Sequence, residues 1–155
     1  MIERTVTPTA KIGIFAVSLD RYNKQFEGLY DNLLGYHADL IEKLSANGVE
    51  VVDFGMIDTV ALAYENVTKM NGEGLDLIIC NMVTYSTSSV FAPIISEATA
   101  PIILTALQPR SGMSYTEAST FMQLENDNIC SVPEFMGVAE RLGKRIYDVI
   151  IGKLY

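Results

Sequence analysis

Four short apolar runs, each breaking into a polar cluster, constrain this chain more than any other feature. The run 12–17 gives way to Ser18-Leu19-Asp20-Arg21-Tyr22, and the run 49–54 stops at Gly55. The run 75–80 opens into Asn81-Met82-Val83-Thr84-Tyr85-Ser86, and the run 102–106 delivers Gln108-Pro109-Arg110. Apolar runs of this length, rich in β-branched residues, read as strands. The near-continuous apolar character of 75–80 predicts burial on both faces.

Helical patterns separate them. Leu29, Leu33, Leu40 and Leu44 recur at helical spacing over roughly residues 27–46, with Gly48 just past the end. Asp58 is a candidate cap for a helix over about 59–70, whose weaker apolar stripe is Val60, Tyr64 and Val67. A third helix over about 88–98 contains Pro93, so it either begins near that proline or kinks there. Beyond Pro109 the pattern weakens into a short helix near 116–124 and a short fifth strand within 128–132. Ser131-Val132-Pro133-Glu134 reads as a capping box with proline in the first turn. It opens a final helix to about residue 151, with Phe135, Val138, Leu142, Ile146 and Val149 along one side.

This alternation predicts an α/β three-layer sandwich around a doubly wound parallel sheet. Right-handed crossovers favour the flavodoxin-like (Rossmann-like) strand order 2-1-3-4-5. All strand carboxyl ends then share one edge, where open parallel sheets bind their ligands. At 155 residues the chain makes one domain, 11–155, after an extension over residues 1–10.

Charge narrows the partners. The net charge of −8 is spread along the chain, which argues against nucleic acid or an anionic membrane. Arg141, Lys144 and Arg145 share the expected last helix with Glu134, Glu140 and Asp148 and read as a solvated face. The apolar runs are too short to span a bilayer, and the first ten residues lack the apolar core of a secretory signal, so a cytoplasmic location is expected. Two cysteines, Cys80 in a strand and Cys130 in a loop, make no disulfide framework.

Catalytic signals are sparse. Gly72-Glu73-Gly74 precedes a strand instead of following one, and no P-loop or dinucleotide fingerprint occurs. The hydroxyls of Thr84, Ser86, Thr87, Ser88 and Ser89 read first as helix caps, with a phosphate on that turn as the alternative. The single histidine, His37, falls mid-helix beside Leu33 and Leu40 and reads as a packed or interfacial residue, not a metal ligand or a catalytic base. Glu125 and Asp127 read as solvated loop charges. The rim groups that remain, Asp20, Arg21, Tyr22, Tyr85 and Gln108, mix hydroxyl, amide and carboxylate chemistry. That mixture suits a polyhydroxylated ligand, because every sugar hydroxyl both donates and accepts.

Four strings extend this reading. They are residues 19–29 (LDRYNKQFEGL) after the first strand and Val83-Thr84-Tyr85-Ser86-Thr87-Ser88-Ser89 after the third. Leu107-Gln108-Pro109 follows the fourth, and Cys130-Ser131-Val132-Pro133-Glu134 precedes the last helix. In that order the chain, from about residue 11 to 154, resembles the amino-terminal domain of the L-fucose/L-arabinose isomerase-like family. The resemblance implies aldose–ketose isomerisation in a longer cytoplasmic protein, assisted by Mn²⁺ held in later domains. It implies no catalytic residue and no metal ligand in this chain, which would pack against the remaining isomerase domains in a homo-oligomer, a trimer or hexamer. Asp20, Arg21, Tyr22, Gln25, Tyr85 and Gln108 would then line one wall of the sugar site. The alternative expectation is a stand-alone module that binds a small metabolite or mediates oligomerisation without catalysis. A flavodoxin-like electron carrier is a third, weakened by the absence of a Ser/Thr-rich phosphate loop after the first strand.

Overall fold

The computed structural model describes residues 9–155, so most of the amino-terminal extension lies outside the described residues. The sheet has five strands, all parallel, in the order β2-β1-β3-β4-β5. These are β1 (Lys11–Val17), β2 (Glu50–Ile57), β3 (Leu77–Met82), β4 (Ile102–Gln108) and β5 (Ile146–Lys153). The helices are α1 (Asp20–Gln25), α2 (Leu29–Ser45), α3 (Val60–Gly72), α4 (Ala92–Glu97), α5 (Thr120–Glu125) and α6 (Val132–Arg141). This is the flavodoxin-like three-layer sandwich expected from the alternation of elements.

The pleat divides the core in two. Phe15, Val17, Ile78, Cys80, Met82, Leu104 and Ala106 face the layer of α3, α4 and α6, where Phe91 and Phe135 stack at 4.7 Å between centroids. Ile12, Ile14 and Ile79 face α2, with Leu40 and Leu154 closing that layer. Nearer the carboxyl edge, Ala16 and Val83 meet Leu29, Leu33 and Leu124.

Several elements differ from the sequence reading. The helix expected over 27–46 is α2, and it is preceded by a short helix the sequence reading lacked, α1, set apart from it at Gly28, whose φ of 81° admits few residues with a side chain. Gly55 does not end β2. It sits in a β-bulge at φ 70°, where the pairing with β1 jumps from Ile14↔Asp53 to Ala16↔Met56. Thr59, not Asp58, caps α3, its Oγ1 accepting from the Leu62 N–H at 3.3 Å. Pro93 lies in the first turn of α4, so that helix starts late and is not kinked there.

The largest difference lies at the carboxyl end. No strand forms within 128–132, and the last helix stops at Arg141. Gly143, at φ 64°, donates to Glu140 O while Lys144 donates to Ala139 O, the paired closure of a Schellman motif. The residues beyond it, expected as helix, form β5, and Leu142 is 45% exposed. Ile146 and Val149 fall at helical spacing after Val138, which hides the break, whereas Gly143 and the run Val149-Ile150-Ile151 signal it.

Candidate functional site

β1 delivers the chain into the rim through Ser18, which is fully buried. Its carbonyl accepts from Ser86 Oγ at 2.8 Å, tying the β1 and β3 loops together. Asn23, on α1, uses one amide nitrogen for two acceptors, Ser18 Oγ at 2.8 Å and Asp58 Oδ2 at 3.1 Å. A single side chain thus braces the loop after β2 against the loop after β1, while its own Oδ1 is buried without a partner.

These braces hold open a cleft of about 540 Å³ outside the carboxyl ends of β1, β2 and β3. The segment after β1 supplies Leu19, Asp20, Arg21 and Tyr22 to its lining. The segment after β2 supplies Asp58, Thr59 and Val60, and the segment after β3 supplies Thr87, Ser89 and Val90. Strand order reverses between β1 and β3, so the cleft occupies the topological switch point. Its charges are nearly balanced. Asp20 pairs with Lys24 at 2.7 Å, Asp58 is held by Asn23, and the Arg21 guanidinium has no ion-pair partner among the described residues. Thr87 and Ser89 hydroxyls bond each other at 2.7 Å.

Of the residues expected at a sugar wall, Asp20, Arg21 and Tyr22 share this cleft. Tyr85 stands behind it, its ring 6.0 Å from that of Tyr22, its phenol pushed up first by burial and then by the Glu134 charge. Gln25 is exposed at the end of α1 and does not line the cleft. Gln108 turns toward the β4 side, its amide donating to Asn126 O at 3.3 Å. The sequence reading takes Asp58 only as a cap, and Asn23 only as part of the string 19–29, with no role at the site. The signal for both was their place beside strand ends.

The serine- and threonine-rich turn is neither a row of caps nor a phosphate cradle. Thr84 donates to Leu124 O at 2.6 Å, and α4 has no side-chain cap. The Ser86 N–H donates to Ser131 Oγ at 3.0 Å, and the Ser88 N–H donates to Glu134 Oε1 at 2.7 Å. The expected capping box therefore points outward from α6: Ser131 and Glu134 satisfy the rim turn instead of their own helix. A carboxylate of the chain already occupies the amide that an anion would need.

Two other polar clusters lie away from the cleft. Glu125 is 2% exposed, correcting its reading as a solvated charge. Its Oε1 accepts from Asn32 at 2.7 Å and Tyr36 at 3.0 Å, and its Oε2 from Arg110 at 3.2 Å. A buried carboxylate with three donors is a satisfied structural group. Burial, then the bond to Glu125, raises the Tyr36 phenol.

His37 is packed, at 2% exposure, and joins a polar line across the sheet. Nε2 lies 2.9 Å from Asp53 Oδ1, Nδ1 lies 3.2 Å from Asn81 Nδ2, and Thr105 Oγ1 donates to Asn81 Oδ1 at 3.2 Å. With Asn81 donating, Nδ1 accepts and Nε2 carries the proton toward Asp53. That hydrogen bond is the main reason the Asp53 carboxyl lies below its ordinary range; the Gly55 N–H, 2.7 Å from the same oxygen, assists against partial burial.

Among the described residues no group of three or more His, Cys, Asp or Glu side chains is placed to hold a metal ion. No described helix is long and apolar enough to cross a membrane.

No protein-family model matches the chain, and no curated protein matches it. Solved structures that resemble it include a type II dehydroquinase from Butyrivibrio crossotus DSM 2876, 15% identical over 94% of this chain and 90% of that one, with a TM-score of 0.49. Another is the transcriptional regulator CelR in complex with cellobiose, 13% identical over 95% of this chain and 52% of that one, with a TM-score of 0.39. The resemblance to the L-fucose/L-arabinose isomerase-like family is thereby corrected, since neither a family model nor a curated relative supports it. The physical reason is that its strings are loops at strand ends, where any parallel α/β domain gathers polar residues. The structure also gives them separate tasks: residues 20–22 line the cleft, Gln108 faces Asn126, and Ser131 with Glu134 staples the rim turn.

Proposed function

We propose that this chain binds a small, neutral, polyhydroxylated metabolite in the rim cleft. The observation that carries the reading is the cleft at the β1/β3 switch point with two carboxylates, a guanidinium, a phenol and three aliphatic hydroxyls in its lining. Asp20 and Asp58 accept from ligand hydroxyls, Arg21 donates to hydroxyl or ring oxygens, and Thr59, Thr87 and Ser89 do either. Arg21 and Lys24 only balance the two carboxylates, so no surplus positive charge favours a phosphate. The reading is one of recognition, with the ligand held and oriented by hydrogen bonds.

Amide shifts of the ¹⁵N-labelled protein, titrated with unphosphorylated pentoses, hexoses and pentitols, test it. Shifts should gather at residues 20–22, 58–60 and 87–90. Asp58→Asn and Arg21→Ala should each weaken binding about ten-fold, the loss of one charge-assisted hydrogen bond. If the rim stays unperturbed by every neutral polyol, or responds only to phosphorylated ones, the reading fails.

Self-association is a second reading, favoured by β5. This edge strand leaves Tyr147 56%, Ile150 44% and Ile151 55% exposed beside a row of unpaired backbone groups. Sedimentation velocity showing only monomer at 100-fold differing concentrations would exclude it.

A further inference from the structure

Three residues that sequence periodicity places in buried stripes stand exposed around one groove. Val60 and Tyr64 on α3 are 43% and 52% exposed, and Leu142, closing α6, is 45% exposed. Of the same stripes Val67, Phe135 and Val138 are buried, and Ala63 and Met70 join Val67 on the buried side of α3. α4 has only six residues, and its Ala92 and Pro93 form the floor between the flanking helices. The groove holds about 340 Å³ and ends at Glu97. Val60 and Ser89 line both this groove and the rim cleft, so the two depressions adjoin.

We infer that the groove is the second half of the binding site and that the ligand is a neutral polyol carrying a flat apolar substituent. The inference rests on the rim-cleft reading above and adds the ligand's other end. The hydroxylated head meets Asp20, Arg21 and Asp58; the substituent passes Val60 and lies on Tyr64, Pro93 and Leu142. An apolar ring suits this surface because it covers aliphatic and aromatic groups that folding leaves in water. Glu97 at the far end disfavours an anionic substituent.

Matched methyl and 4-nitrophenyl glycosides of several neutral pentoses and hexoses provide the test, read by amide shifts and by affinity. The 4-nitrophenyl member of a pair should bind roughly ten-fold tighter, as expected for covering one ring. Its extra shifts should fall at Tyr64, Pro93-flanking residues and Leu142. Tyr64→Ala, an exposed change, should abolish that gain while leaving the methyl glycoside's affinity alone, and Leu142→Ser should reproduce the effect. Equal affinity within every pair, with shifts confined to the rim, overturns the groove and spares the cleft. Shifts in the groove from 4-nitrophenol alone, with no gain in the glycosides, overturn the continuity of the two. Dimerisation that Tyr64→Ala removes, without any aryl preference, reassigns the groove to a second copy of this chain. A rim unperturbed by any pair removes both readings.

Discussion

Ser131 Oγ accepts from the Ser86 N–H at 3.0 Å and donates to the Ser86 carbonyl at 2.7 Å, so one hydroxyl closes both backbone groups of a buried residue 45 positions away. Ser86 in turn donates to Ser18 O, which links the start of α6 to the exits of β3 and β1. The rim is held by this chain of serines, not by the helices it resembles in sequence.

Ser131→Ala should therefore destabilise the fold by about 1–3 kcal/mol, the cost of leaving two buried backbone groups unpaired. Urea denaturation measures it, and amide exchange at Ser86 should quicken. A loss within the noise of a surface substitution would show that water replaces the hydroxyl.

The Asp53–His37 pair predicts a pH dependence. The Asp53 carboxyl is lowered in the folded state, so its contribution is present above the ordinary carboxylate range and fades as pH falls through the folded value. Wild type should exceed Asp53→Asn in stability at pH 7, by less than about 1 kcal/mol because the carboxyl is half exposed. The gap should close below about pH 4. Denaturation midpoints at pH 7, 5 and 3 decide this; a gap constant across them sinks it.

Both thiols should be sluggish, for different reasons. Cys130 is exposed, yet partial desolvation and then the Asp127 side chain push its thiol up to about 11, whereas Cys80 is fully buried, its thiol pushed well up by that burial. At pH 8 Cys130 should react with a disulfide reagent on the order of 100-fold more slowly than a free cysteine, having about that much less thiolate. Cys80 should react only on unfolding. Prompt titration of either in native buffer would contradict the packing described.

Gly55→Ala should cost about 1–2 kcal/mol, the penalty of a Cβ in the left-handed region. It should also disturb Asp53, because the Gly55 N–H shares the oxygen that binds His37. The ring signals of His37 in the variant report this directly; an unchanged histidine spectrum would separate the bulge from the pair.

The inner strands β1, β3 and β4 were legible because parallel strands buried on two faces write continuous apolar runs, and the edge strand β2 because Gly48 and Gly55 bracket its apolar run. β5, the other edge strand, was not, because its apolar residues happened to continue the spacing of α6. At the site, Asp20, Arg21 and Tyr22 were found by adjacency to a strand end. Asp58 and Asn23 were underrated because their meeting depends on a tertiary contact 35 residues long. Gln108 is equally close to its strand end, yet the excursion after β4 draws it to Asn126, an outcome no local pattern carries.

The line from Asp53 through His37 and Asn81 to Thr105 has a consequence for assembly of the sheet. Asn81 is aligned with Ala16 on one side and Thr105 on the other, and side chains alternate between faces. A one-residue slip of β3 would drive the amide into the layer of Phe15 and Phe91 and leave the imidazole over Cys80 or Met82. The histidine thus acts as a proofreader of strand alignment, making the misthreaded sheet intolerable rather than the correct one unusually strong.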